Sequence, residues 1–393
     1  MRVIAGRTDL GRFLSEAARV SPEHPVVITK FVEGADEVEL DGISDGRRVL
    51  VAGILEHVEQ AGVHSGDAIF CLPPRHTPPE VQEDLLRAAG ALARTLEIRG
   101  PFNVQFLVKD RAYQVIELNL RASRSLPFLT KATGLPLLRE AARAMLGKPL
   151  SQEGVAPLPP GRWGVKAPQF SFLQLSGSDP LLGVEMQSTG EVACFGPTFS
   201  DALVKALVAT GVKLVPRRGT AFLSVGGPAL KEQLLPTALR LRSLGIGIAA
   251  TEDTQAFLAA RGVRGARVLH KVSEPDRHPN VLTALDRGEI DLLLNVPLSL
   301  TQEKFERMLE DEYILRRRAV ELGIPLFTSL EAFAAYVEGV AWLEEHPLTG
   351  DSLYGTPEPG TDEAHRPKGI PVVPRRKRPR ARQVRRRSRT VGP

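Results

Sequence analysis

The stretch from Phe102 to Arg124, FNVQFLVKDRAYQVIELNLRASR, constrains the fold more than any other part of the chain. Apolar and polar residues alternate on both sides of Lys109-Asp110-Arg111, the pattern of two antiparallel strands joined by a short turn. A turn centred on Arg111 sets Gln105 opposite Glu117. Strand alternation then places Glu117 and Asn119 on the same sheet face as Gln105. Three oxygen-bearing side chains converge there, close to Arg121 and Arg124. Hard oxygen donors suit Mg²⁺ or Mn²⁺, and the two arginines can grip phosphate or carboxylate oxygens in a fork. A plain hairpin with one solvated polar face satisfies the same pattern.

Other segments supply further candidates. An amphipathic helix is expected over Asp9–Val20 and an apolar strand over Pro25–Ile28. Glu37, Glu39 and Asp41 alternate with apolar residues and so share one strand face. A strand over Arg48–Val58 runs into EHVEQAGVHSGDA, residues 56–68. There Gly62 and Gly66 make a tight loop whose amides can face a phosphate, with His64 and Ser65 as added donors. A helical stripe runs from Glu80 to Ile98. A second helix spans Leu137–Leu146, opened by Pro136 and closed by Gly147. Residues 148–162 are proline-rich and read as a linker.

From Thr220 onward the pattern becomes strand, helix, strand, helix, which predicts a parallel sheet covered on both faces. Such sheets bind ligands beyond the carboxyl ends of their strands. Thr251 and Asn295 stand at two of those ends and Lys271 follows a third. Thr251 also begins a helix, where free amides favour an anion; simple helix capping explains it equally well.

Several strings carry a family resemblance. FNVQF, IELNLRASRS, PFLTKATG and EHVEQAGVHSGDA resemble the second ATP-grasp half of the carbamoyl-phosphate synthetase large chain, and the segment from Thr220 resembles that family's allosteric domain, named for methylglyoxal synthase. Leu120, where bacterial members often have Pro, gives the match an animal-type character. The resemblance implies an α+β ATP-grasp domain, incomplete with its lid truncated, followed by an α/β parallel-sheet methylglyoxal-synthase-like domain. It divides the chain into residues 1–147 (ATP-grasp part), 148–215 (linker and closing segment), 216–346 (allosteric domain) and 347–393 (disordered basic tail).

The resemblance also implies ligands and roles. ATP is the nucleotide, contacted by Thr29, Lys30 and Val32 at a hinge, by Glu37 at the ribose, and by Gly62, Val63, His64, Ser65, Gln105 and Glu117. Mg²⁺ or Mn²⁺ is held by Gln105, Glu117 and Asn119. Arg121 and Arg124 orient carbamate for phosphorylation. Lys231, Thr251, Thr254, Lys271 and Asn295 match positions that bind a small anionic effector. Glu59 and Asp67 match an ornithine site, but Ala167 replaces a Glu expected there, so ornithine control is not expected. The implied partners are the missing N-terminal part of the large chain and a glutaminase small subunit. The alternative is a catalytically idle regulatory or metabolite-binding protein, or a gene fragment.

Charge and composition narrow the rest. Of 51 Lys/Arg residues, 12 follow Glu363, leaving 39 against 46 acidic residues, a net charge of −7 for residues 1–365. The tail alone makes the chain basic. Nucleic-acid contact is expected only through that tail, which lacks the interleaved aromatics needed for base stacking. The two cysteines, Cys71 and Cys194, have no metal or redox spacing, which points to a reducing, cytoplasmic setting. No apolar run approaches the ~20 residues of a membrane span.

Overall fold

The structure is a computed structural model that describes residues 7–20, 23–172, 175, 177–297 and 302–350. The tail predicted from the sequence lies, beyond Gly350, outside the described residues. The described residues through Leu348 form one compact unit.

Helix α1 (Arg7–Val20) comes first. The strand expected over Pro25–Ile28 does not form. That segment is coil, with Val26, Val27 and Ile28 exposed by 42%, 81% and 65%. An extended apolar segment becomes a strand only where a neighbour completes its hydrogen bonds, and none of the described strands pairs with it.

The first sheet is built from β1 (Asp36–Asp45), β2 (Val49–Gln60) and β3 (Phe70–Leu72), then helix α2 (Pro79–Thr95), β4 (Arg99–Lys109) and β5 (Ala112–Asn119). Helices α3 (Ser125–Thr133) and α4 (Leu137–Met145) follow, then β6 (Gly154–Val155), β7 (Trp163–Gln169), β8 (Gly190–Gly196) and α5 (Phe199–Ala209). The spatial order is β5-β4-β1-β2-β3-β7-β8 with antiparallel neighbours, and β6 lies parallel to β2. The proline-rich segment is therefore not structureless: Gly154 and Val155 pair with Leu50 and Val51. One face of β1 and β4 packs Val38, Leu40, Phe102, Val104 and Phe106 against Val81, Leu85, Ala89 and Ala93 of α2. This burial explains why the other face of the same strands can be polar.

The second sheet comprises β9 (Thr220–Val225), β10 (Gly247–Ala250), β11 (Arg267–Val268), β12 (Leu292–Val296) and β13 (Leu326–Phe327), separated by α6 (Pro228–Ser243), α7 (Glu252–Ala260), α8 (Val281–Asp286) and α9 (Gln302–Glu321), with α10 (Leu330–Trp342) after β13. All its pairings are parallel, in the order β11-β10-β9-β12-β13. Alternate residues feed opposite layers. Ala221, Leu223, Leu292 and Leu294 pack with α6 and α10, while Phe222, Ala249 and Leu293 pack with α8 and α9. The first of these cores continues through α5 into Cys71, Val165 and Ala167 of the first sheet, so one apolar mass joins the two sheets. Among the described residues no helix is long and apolar enough to cross a membrane.

Candidate functional site: a polar sheet face

The β4–β5 hairpin places Gln105 opposite Glu117 and Asn103 opposite Asn119. The expected pairing holds, although the turn is not centred where the sequence suggested. Lys109 pairs with Ala112, so the two-residue turn is Asp110-Arg111, with φ of 50° and 63°. Positive φ at both central positions is the type I′ geometry that matches strand twist. A bulge between Gln105 and Phe106, where Phe106 pairs with Val115, absorbs the offset. Leu118 packs against the α2 core, so its neighbours Glu117 and Asn119 share the opposite face with Gln105.

Strand β1 brings a row of acids to that face. Glu39 pairs with Gln105 and Asp41 with Asn103. Gln105 Nε2 donates to Glu39 Oε1 at 2.9 Å and to Ser65 Oγ at 3.1 Å, which leaves its amide oxygen free to accept or ligate. Asn103 Nδ2 donates to Glu39 Oε2 at 3.2 Å and Asp41 Oδ1 at 3.3 Å. His57, from β2, lies 4.0 Å from Glu37 and 3.8 Å from Glu39, and neither ring nitrogen has a hydrogen-bond partner. Glu37, Glu39 and His57 thus offer ligand atoms within 4.8 Å of one another, all buried. The sequence reading did not single out His57, Asn103 or the buried Lys166. Lys166 Nζ lies 3.1 Å from Glu191 and 4.0 Å from the Phe70 ring centroid.

The electrostatics follow from crowding these acids out of water. Burial, with Glu39 beside it, pushes Asp41 up to about 7. Burial also raises Glu37, opposed by His57 and reinforced by Glu39 and Glu117. Glu39 goes the other way: burial alone would raise it, but His57, Lys166 and Ser65 together hold it below its ordinary value. The all-oxygen donor set of Gln105, Glu117 and Asn119, beside acids crowded together on β1, fits a hard divalent cation.

The remaining predicted residues are distributed around this face. Thr29 and Lys30 are exposed coil and Val32 is half-buried. The Phe31 ring closes over Gly62, which has φ 116°. The Gly62–Ala68 loop uses several of its amides internally. His64 N–H donates to Gly183 O at 2.7 Å, Gly66 N–H to His64 Nδ1 at 2.9 Å, and Asp67 and Ala68 N–H to His64 O. These four amides are consumed in folding the loop, and His64 Nδ1 with them. Ser65 Oγ, in contrast, reaches the polar face. Arg124 is held in place by Ser188 Oγ at 3.1 Å and Glu191 at 3.5 Å. Arg121 is exposed and donates to its neighbour's carbonyl, Ala122 O.

At the carboxyl ends of the second sheet, Thr251 and Lys271 line a cavity of about 520 Å³ together with Ser224, Ser273, Asp311 and Glu312. Lys231 and Thr254 are not on its wall. Thr254 is buried and spends its hydroxyl on Val225 O, 3.3 Å away, and Thr251 caps α7 by position without a side-chain cap bond. Asn295 is fully buried, with Oδ1 accepting from Arg316 at 2.6 Å and Nδ2 unpartnered.

Residues 1–153 match the family described as carbamoyl-phosphate synthase L chain, ATP binding domain, and residues 233–328 match the MGS-like domain. The carbamoyl phosphate synthase large chain, C-terminal section, of Methanopyrus kandleri is 40% identical over 364 residues, which cover 90% of this chain and 65% of that protein. The chain is a homologue of the carbamoyl-phosphate synthase large chain. The multifunctional protein URA2 of Saccharomyces cerevisiae is 39% identical over 344 residues, covering 87% of this chain and 15% of that protein. The carbamoyl phosphate synthase large chain of Archaeoglobus fulgidus is 39% identical over 354 residues, covering 90% and 32%. The homologue thus spans less than two thirds of each of these relatives. Its two sheets are an ATP-grasp sheet and the parallel sheet of an MGS-like domain.

Proposed function

We propose that the chain is the C-terminal, carbamate-phosphorylating part of a carbamoyl-phosphate synthase and that it works with a partner supplying the N-terminal portion of the large chain. The observation that carries this reading is the convergence of Gln105, Glu117 and Asn119 on one face, beside an Arg124 held by Ser188 and Glu191. Gln105, Glu117 and Asn119 would hold Mg²⁺ or Mn²⁺. When bound, such an ion neutralises charge on the phosphates of ATP. Arg124, fixed against Ser188, and the exposed Arg121 orient the anionic carbamate. A carbamate oxygen attacks the γ-phosphorus, the bond to the β–γ bridging oxygen breaks, and carbamoyl phosphate and ADP result. No protein nucleophile or proton transfer is required, so positioning and charge stabilisation carry the catalysis.

The cavity at Thr251 and Lys271 supports an effector role for the second sheet: Lys271, three hydroxyls and the amino end of α7 can meet an anionic group of a small metabolite, while Asp311 and Glu312 on the same wall suit its hydrogen-bond donors. Calorimetric titration with Mg²⁺-ATP tests the first claim. The chain is expected to bind, and Glu117→Gln to weaken binding at least tenfold. Wild-type chain that shows no binding would overturn it.

A further inference from the structure

Residues 179–188 have no regular secondary structure, yet they touch the polar face at three places. Gly183 O accepts from His64 N–H. Gln187 and Ser188 N–H both donate to the Asp67 carboxylate at 2.8 Å, and Ser188 Oγ donates to Gly66 O at 2.7 Å. Ser188 Oγ also accepts from Arg124. The placement of the Ser65 loop and of Arg124 therefore depends on where this segment lies. A segment without a ladder or helix of its own needs an external anchor.

Leu182 N–H donates to Thr328 Oγ1 at 3.3 Å, but the charged anchor is Arg316 of α9. Its side chain is fully buried and its fork is filled: Nε and one terminal nitrogen donate to the two oxygens of Asp179 at 2.7 and 2.6 Å, and the other donates to Asn295 Oδ1. Asp179 Oδ1 also accepts from Leu181 N–H at 3.0 Å, which turns the chain into the segment. Two neighbours on α9 reinforce the hold. Tyr313 donates to Gly177 O, and Arg317 to Phe172 O and Leu175 O.

We propose that Arg316 is a positioning residue which, through Asp179, sets the 179–188 segment against the His64–Asp67 loop and Arg124. Stability alone does not account for the pair. A buried ion pair is commonly matched or surpassed by apolar residues of the same volume. What this pair adds is direction, because a bidentate fork fixes the carboxylate in position and angle. The pair is also one-sided. Asp179 keeps 34% of its side chain in solvent while Arg316 has none, so the aspartate is the member that can let go. The significance for turnover rests on the reading of that loop and Arg124 as phosphate- and carbamate-handling groups.

Amide hydrogen exchange on the full chain, without nucleotide, tests the positioning itself. Because Arg316→Ala would leave buried acceptors stranded and destabilise the whole fold, the variant is Asp179→Asn at the solvent-facing partner. Exchange across residues 62–68 is expected to rise about tenfold, with β9 and β12 unchanged. Asp179→Glu, which restores a forked acceptor, is expected to return most of the protection. Unchanged exchange at 62–68 in Asp179→Asn would overturn the proposal, and so would a rise spread equally over both sheets. A wild-type chain that fails to bind Mg²⁺-ATP would count against the proposed function but would leave this result standing.

Discussion

Glu59 shows how single residues are set by burial. It is fully enclosed on β2, with Ile69 N–H donating to Oε2 at 2.8 Å, and burial pushes its carboxyl up to about 7. A carboxyl whose folded pKa exceeds its unfolded value of 4.5 favours the folded state most below pH 4.5, and that favour is lost as pH rises through 7. Wild-type protein should therefore gain stability between pH 7.5 and 5.5. Glu59→Gln should gain about 2 kcal/mol less over that interval, measured by urea denaturation at the two pH values. The residues of the polar face were unequally legible. Gln105, Glu117 and Asn119 sit on one hairpin, where alternation alone decides the face. His57, Asn103 and Lys166 reach the site through β1–β2, β1–β4 and β3–β7 pairings, and a local pattern does not specify which distant strands become neighbours. Thr254, expected at a ligand, instead spends its hydroxyl on Val225 O, because α7 lies against the carboxyl end of β9 and a buried hydroxyl takes the nearest free carbonyl.

Among the elements, the β4–β5 hairpin reaches its register by two compensating irregularities, a turn one half-step early and a bulge. Its turn places Asp110 and Arg111 at positive φ, where Asn-Gly is strongly preferred. Replacing Asp110-Arg111 by Asn-Gly should raise stability by about 1 kcal/mol, read as a shift in thermal midpoint, with the exposed Arg111–Glu80 pair contributing little. Gly42 makes the opposite case. A Cβ there would lie 2.4 Å from the Phe102 ring in a closed core, so Gly42→Ala should cost about 2 kcal/mol or more. The alternation of helices and strands in the second sheet was readable from the sequence, since strand and helix periods alternate cleanly. β3, β6, β7 and β8 were not. They are short or mixed in polarity, and contacts far along the chain, rather than propensity, make them strands.

At the scale of the whole molecule, an apolar core continuous from Ile69 and Val165 through α5 to Tyr336 binds the ATP-grasp sheet to the MGS-like sheet. The most direct test is ATP-dependent carbamoyl phosphate formation by this chain combined with an N-terminal section of a carbamoyl-phosphate synthase large chain, run with wild type and with Glu117→Gln. If the cation is seated by Gln105, Glu117 and Asn119, wild type forms product and the variant loses at least about 100-fold, roughly 3 kcal/mol of transition-state stabilisation. Equal product from the two proteins would contradict the account.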